Sequence, residues 1–360
     1  MEIKKIAIIG TVGLPAIYGG FETLAEYLTK YLGKQYDITV YCSSKSYSHK
    51  IGEYNDVKLV YLPLNANGVQ SIPYDILSIL KALRYADTLL ILGVSGCISL
   101  PFVKLISRKK IVVNIDGMEW KRNKWNKFAK WFLKFSEKLA VKYADVVITD
   151  NKVIQNYVLS EYGVESSLIA YGGDHAVGAP LSKKVLSQYP YLDANYAFTV
   201  CRIEPENNIY IILAAVAQQN KLPLVLIGNW QASQYGMDLY ANYSGIEHIH
   251  LLNPIYDQVI LNQLRSNCLV YLHGHSAGGT NPSLVEAMCL GLPIFAHAAD
   301  YNIETTENAT QYFSDPDELK QLIVNGSTES LLANGLKMSD IATRRYQWKG
   351  IVEQYAKLLD

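Results

Sequence analysis

The run His273 to Met288, HGHSAGGTNPSLVEAM, holds the residues best suited to chemistry. An apolar stretch, Leu269 to Leu272, leads into a glycine-rich polar loop, and Pro282 stands where a helix would begin. Proline suits the first helical position, because its missing N–H would have no partner there. Asn281 is suited to cap that helix. The N–H groups of Ser283, Leu284 and Val285 are then expected to be free and to point into the loop, with the positive end of the helix dipole behind them. Such a helix end takes a diphosphate. Glu286, one turn inside, only accepts hydrogen bonds and is placed to take them from a sugar hydroxyl beside that diphosphate. The pattern predicts a nucleotide-sugar site drawn from Gly278, Gly279, Thr280, Asn281, Ser283, Leu284 and Glu286. A helix merely capped and packed on a sheet needs Asn281 and Pro282 but not the glycines. His273 and His275 flank Gly274, and one of them, His275 in the donor-binding set, is expected to donate to phosphate. With no Cys or carboxylate beside them, metal ligation is not expected.

Other segments offer further groups. After the first apolar strand comes GTVGLPAIYGGFE (10–22). A dinucleotide fingerprint sets GxGxxG in a tight turn. Here Gly19 and Gly20 come late, at the helix start, which argues against NAD and for a loop facing a phosphate or sugar. Phe21 and Glu22 follow, and two roles fit Glu22: accepting from an acceptor sugar, or complementing the helix dipole. Asp116, with Glu119 and Trp120 after it, ends another strand. It suits a sugar contact or proton acceptance, and equally a helix cap. Arg202, in RIEPENN (202–208), suits a forked grip on a diphosphate or a surface pair with Glu204 or Glu206. Tyr256 and the turn Gly228-Asn229-Trp230 are candidates for the base contact. Asp315-Pro316-Asp317 has the DxD spacing of metal-dependent sugar transferases, but it sits at a helix start, where capping explains it better.

Between Trp120 and Lys142, eight basic residues (Lys121, Arg122, Lys124, Lys127, Lys130, Lys134, Lys138, Lys142) interleave with Trp125, Phe128, Trp131, Phe132 and Phe135, and only Glu137 opposes them. Two readings fit. The helix lies on an anionic membrane through Lys124, Lys127, Phe128, Trp131 and Lys134, or its aromatics are core and its lysines a solvated face.

Short apolar strands alternate with amphipathic helices along the whole chain. Ile6–Ile9, 38–41, 57–62, 89–94, 111–115 and 146–149 read as strands in the first half, and 198–200, 224–227, 250–252, 269–272 and 294–296 in the second. The alternation predicts parallel sheets covered on both faces. The fold class is α/β: two Rossmann-like doubly wound domains facing a cleft, 1–175 and 190–340, with a helix over 341–360 crossing back to the first. The glycine- and proline-bearing stretch 171–195 is the expected boundary. Residues 89–106 are apolar enough to suggest a membrane span, but Gly93, Gly96, Pro101 and Lys104 interrupt them, and they read as strand plus turn. At 360 residues, 49% hydrophobic and 18% charged, the chain is globular and long enough for two domains. Lys+Arg and Asp+Glu both number 33, so no nucleic acid partner is expected. Five scattered cysteines suit a reduced, cytoplasmic protein, and MEIKKIAIIG runs straight into a strand with no signal peptide expected.

Five segments, GTVGLPAIYGGFETLAE (10–26), NIDGMEWKRNKW (114–125), IAYGGD (169–174), RIEPENN (202–208) and HGHSAGGTNPSLVEAM (273–288), make the chain resemble a family four retaining glycosyltransferase of GT-B fold. More narrowly it resembles bacterial rhamnosyltransferases of capsule and cell-wall assembly. The resemblance implies that Glu286 holds the nucleotide ribose, that Arg202 and residues 280–285 hold the diphosphate, and that the first domain binds the acceptor. The chain departs from the wider family at Gly278, where many members carry Glu, at Asn207, where many carry Lys, and at Asp116, where a His is common. Asn207 joins the donor-binding set, and Arg265 is a further source of charge for the diphosphate. The implied reaction moves L-rhamnose from dTDP-L-rhamnose to undecaprenyl diphosphate bearing glucose or N-acetylglucosamine, with no metal and no cofactor, on the inner face of the plasma membrane. A UDP-glucose or UDP-galactose donor is the alternative. Gly278 and Asn207 also leave open a non-catalytic partner that kept the GT-B shell.

Overall fold

The computed structural model describes residues 3–17, 19–115, 117–121 and 125–360. It divides into two compact units, the first Met1–Tyr171 with Trp348–Asp360, the second Gly172–Gln347.

The first unit is built on a sheet of β1 (Lys5–Ile9), β2 (Asp37–Ser43), β3 (Glu53–Tyr54), β4 (Val57–Leu62), β5 (Thr88–Leu92), β6 (Lys110–Asn114), β7 (Val146–Thr149) and β8 (Ser167–Leu168). Their order is β3-β4-β2-β1-β5-β6-β7-β8, and every pairing is parallel except that of β3 with β4. The strands read as unbroken apolar runs because both faces are covered: every residue of β5 is buried. Helices α1 (Gly20–Leu32), α2 (Ser71–Ala82), α3 (Leu100–Ile106), α4 (Lys127–Tyr143) and α5 (Lys152–Tyr162) make the connections. Residues 89–106 thus become β5, a turn and α3. Among the described residues no helix is long and apolar enough to cross a membrane.

The second unit holds β9 (Ala197–Val200), β10 (Leu224–Ile227), β11 (Ile249–Leu252), β12 (Val270–His273), β13 (Ile294–His297) and β14 (Gln311–Phe313), in the order β11-β10-β9-β12-β13-β14 and parallel throughout. Its helices are α6 (Lys183–Gln188), α7 (Ile209–Ala217), α8 (Gln234–Tyr243), α9 (Gln258–Ser266), α10 (Pro282–Cys289), α11 (Asp300–Thr305), α12 (Pro316–Asn325) and α13 (Thr328–Arg345). The unit begins at Gly172, within the 171–195 stretch, and runs past residue 340 to Gln347. Residues 179 and 182 hydrogen-bond α9, Ala179 N to Ser266 Oγ and Ser182 N to Gln263 Oε1. At the other end, α13 lies against α10 and buries Met338, Ile341 and Ala342.

Helix α14 (Trp348–Leu359) returns to the first unit. Trp348, Ile351, Val352, Tyr355 and Leu359 join the core formed by Leu24, Leu28 and Leu32 of α1. The Trp348 ring stacks on Tyr27 at 4.4 Å, and Asn114 Nδ2 donates to the Tyr355 hydroxyl at 2.7 Å.

Candidate active site

In the second unit the strand order reverses between β9 and β12. Loops leaving the carboxyl ends of neighbouring strands diverge at such a point and open a ligand crevice. Arg202 follows β9 and the Gly274 loop follows β12, so topology alone brings the two predicted segments together. Polar groups then lock them. Asn208 Nδ2 donates to Gly274 O at 2.8 Å, and Ser276 N donates to Glu206 O at 2.9 Å. Gly274 is obligatory, since a Cβ there would lie 2.1 Å from Asn207 O. Asn302 Nδ2 holds the His275 carbonyl at 2.8 Å.

Asn207 is buried and supports this loop instead of facing a ligand. Its Nδ2 donates to Arg202 O and its Oδ1 meets His275 Nδ1, each at 2.7 Å. The carbonyl partner fixes the amide orientation, so Oδ1 accepts and His275 carries a proton on Nδ1. Arg202 itself is half-exposed, with Glu204 at 3.8 Å. The His273 pKa is pushed down to about 3 by burial and by His297, so His273 is a neutral core residue.

At α10 the cap is as the sequence indicates, but the expected free amides are not free. Asn281 Oδ1 accepts from both Ser283 N and Ser283 Oγ, and Asn281 O accepts from Leu284 N and Val285 N. Asn281 closes the first turn so completely that any diphosphate contact falls to the helix dipole and to the loop before it, where Gly278 has φ +107° and Gly279 is half-buried. Thr280 and Leu284 are buried. Tyr256 lies exposed, whereas Trp230 is fully buried with its Nε1 donating to Leu252 O, which removes that ring as a stacking platform.

Glu286 is the most constrained group. Oε1 lies 2.9 Å from His175 Nε2 and Oε2 is ion-paired with Arg265 Nη1. Its side chain is 15% exposed and that of Arg265 4%. Burial would raise the Glu286 pKa, but Arg265 and His175 outweigh it and hold the carboxyl below its ordinary range. His175 reaches this place because Gly173 lets its chain touch α10: a Cβ at 173 would sit 2.6 Å from the carbonyl of Val285.

Residues 187–345 match the family described as Glycosyl transferases group 1. The second unit is a group 1 glycosyl transferase domain. Residues 3–174 match a Domain of unknown function (DUF1972). The chain is 23% identical to an uncharacterized glycosyltransferase of Methanocaldococcus jannaschii, covering 99% of each. Among solved structures it is similar to sucrose-phosphate synthase from Thermosynechococcus elongatus (TM-score 0.82, 15% identity, 99% of this chain and 98% of that one). It is also similar to Anabaena HepE in complex with UDP and glucose (TM-score 0.76, 17% identity, 99% of both). The fold of two Rossmann-like, parallel-sheet units is therefore the GT-B fold. Glu286 belongs to the donor-binding set expected from the sequence; His175 has no place in that set, and Arg265, expected there as a further source of charge for the diphosphate, pairs with Glu286. The one available signal was an arginine in the last turn of an amphipathic helix.

The first unit sorts its candidates differently. Glu22 is 7% exposed and its Oε1 accepts from Val12 N at 2.8 Å and from the Thr11 hydroxyl at 3.3 Å. It stands in the first turn of α1, the place expected of a complement to the helix dipole, and from there it also holds the loop after β1 at Thr11 and Val12. Gly19, at φ +138°, makes room for it: a Cβ there would lie 1.9 Å from Glu22 Oε2. Gly20 opens α1, and Phe21 packs half-buried on the core. Trp120 Nε1 donates to the buried Glu137 at 3.2 Å, and Glu119 accepts from Trp125 Nε1 at 3.3 Å. Asp116 and Lys124 lie outside the described residues.

On α4 the aromatics divide. Phe128 (73% exposed), Trp131 (61%) and Phe135 form an outward stripe, with the Trp131 and Phe135 rings stacked at 5.7 Å. Lys127 is exposed beside them. Lys134 turns inward, contrary to the expectation for it: it pairs with Glu161 at 2.9 Å and Glu137 at 3.7 Å, over the rings of Trp120, Tyr157 and Tyr162. The buried Glu137, the exposed Glu161 and these aromatic faces hold its ammonium against the protein. Asp315 caps α12 by accepting from Glu318 N, as expected of its position.

Proposed function

We propose that this glycosyltransferase moves L-rhamnose from dTDP-L-rhamnose to an undecaprenyl-diphosphate-linked glucose or N-acetylglucosamine, on the inner face of the plasma membrane, in capsular or cell-wall polysaccharide synthesis. The observation that carries a nucleotide-sugar donor is Glu286: an ionised carboxylate one turn inside a helix that starts where the strand order reverses. It is the acceptor a ribose hydroxyl needs, beside a helix end and glycine-rich loop that suit a diphosphate. The donor sugar rests on the resemblance of the five segments to rhamnosyltransferases. The membrane rests on the outward stripe Phe128, Trp131 and Phe135 beside lysines.

The chemistry asks mainly for positioning and for stabilisation of the departing diphosphate as the sugar gains oxocarbenium character. Arg202, half-exposed at its strand end, supplies positive charge. In a retaining reaction the acceptor attacks on the face that the diphosphate leaves, and its proton passes to a phosphate oxygen. In an inverting one Asp116 is the base. The donor is a substrate, and the reading calls for neither metal nor cofactor.

A second reading, hexosyl transfer from UDP-glucose or UDP-galactose, is favoured by one finding: HepE was solved with UDP and glucose. A thermal-shift series with dTDP, UDP, GDP, dTDP-rhamnose and NAD separates the two. A ligand at a hundred times its dissociation constant stabilises by about 2.7 kcal/mol. Stabilisation by dTDP and dTDP-rhamnose is the expected result, and a response to UDP in their place selects the second reading. No response to any nucleotide refutes both and leaves a non-catalytic shell.

A further inference from the structure

We propose that Arg265 and His175 are positioning residues for the nucleotide ribose: each takes one oxygen of Glu286, and together they fix its carboxylate as a pure acceptor facing the sugar. The inference rests on the assignment of Glu286 to the ribose. Two observations carry it. Arg265, from the last turn of α9, is almost wholly buried and ends on Glu286 Oε2, so its charge is spent on the carboxylate and does not reach a diphosphate. His175 approaches Oε1 at 2.9 Å from a different segment, which only Gly173 allows so close to α10. A carboxylate has about four acceptor sites, so two remain after these contacts. With Oε1 and Oε2 each held by a separate donor, the carboxyl plane is set before the nucleotide arrives. The charge on Arg265 also stops the buried carboxyl from taking up a proton, which would turn one acceptor oxygen into a donor.

The test compares two ligands that differ only where Glu286 would touch them: whichever of dTDP and UDP stabilises the chain, and its 2′,3′-dideoxy counterpart. Dissociation constants are measured from pH 8 to pH 5.5. The wild type should prefer the hydroxylated nucleotide by about tenfold, the effect of one hydrogen bond to a charged group, and the preference should stay flat with pH. In Arg265→Gln it should shrink and fall further as the pH drops, because the buried Glu286 now protonates. In His175→Ala, where Arg265 remains, it should shrink roughly threefold without gaining a pH dependence. Arg265→Lys keeps the charge but not the fork, and should restore the flat profile if the glutamine variant proves too unstable to assay. A merely structural role would weaken both nucleotides alike, so an unchanged preference in Arg265→Gln and His175→Ala overturns the proposal. A wild type that binds nucleotide without preferring the hydroxylated form overturns the ribose assignment beneath it. A wild type that binds no nucleotide overturns the proposed function.

Discussion

Glu286 and Arg265 are bound to each other in stability as well as in geometry. Removing one member of a buried pair leaves the other charge unpaired and costs about 3–5 kcal/mol, whereas replacing both by apolar groups is often close to neutral. Glu286→Ala should therefore lower the melting temperature of the protein markedly as well as abolish nucleotide stabilisation. The double variant Arg265→Met with Glu286→Met should recover most of the melting temperature and none of the nucleotide response. Calorimetry of the single and double variants checks this, and additive losses would show that the two side chains do not depend on one another. The pair also sets a pH dependence. The folded-state pKa of Glu286 lies below its ordinary 4.5, so its contribution is complete above that value and is lost as the pH falls through the lower folded one. A melting temperature followed from pH 6 downward should show an acid loss that the double methionine variant lacks.

At the scale of single elements, α4 separates two functions that its sequence superimposes. Phe128 and Trp131 face outward, while Lys134 is folded into the Glu137 pocket. Replacing both aromatics by alanine should release the protein from anionic vesicles, read by co-sedimentation, with little change in melting temperature. Lys134→Ala should do the reverse, lowering the melting temperature and leaving vesicle binding intact. Equal vesicle binding by all variants would make the stripe an ordinary exposed face. The strands were legible in the sequence, because a buried parallel strand such as β5 is an apolar run and needs no partner to be recognised. The short edge strands β3, β8 and β14 were not, since two or three residues carry no periodicity. The same limit applied to the site. Asn281 and Pro282 state their roles locally, through the cap and the first turn. Arg265 and His175 acquire theirs only when α9 and the Gly173 segment converge on α10, and Glu22, adjacent to glycines, gave no sign that it closes its own loop. Residue type showed that Lys134 is charged, but not which way it turns.

For the whole molecule, the contact that matters most is that of α14 with the first unit. Trp348 fills the core beside Tyr27 and is essentially inaccessible to water. Trp348→Ala should cost about 3–5 kcal/mol and act on the first unit, so a protease ladder should show new cleavage within residues 3–171 before any within 172–347. Early cleavage confined to the second unit would contradict that placement. The arrangement also bears on the order of synthesis. Residues 1–171 leave the ribosome first, yet the wall of their core is supplied by residues 348–360, which follow the entire second unit. At roughly 5–20 residues per second, the nascent first unit waits on the order of ten seconds with Leu24, Leu28 and Leu32 lacking α14 beside them. During that interval it exposes apolar surface of the kind that aggregates, and a stall within the second half of the message would strand it there.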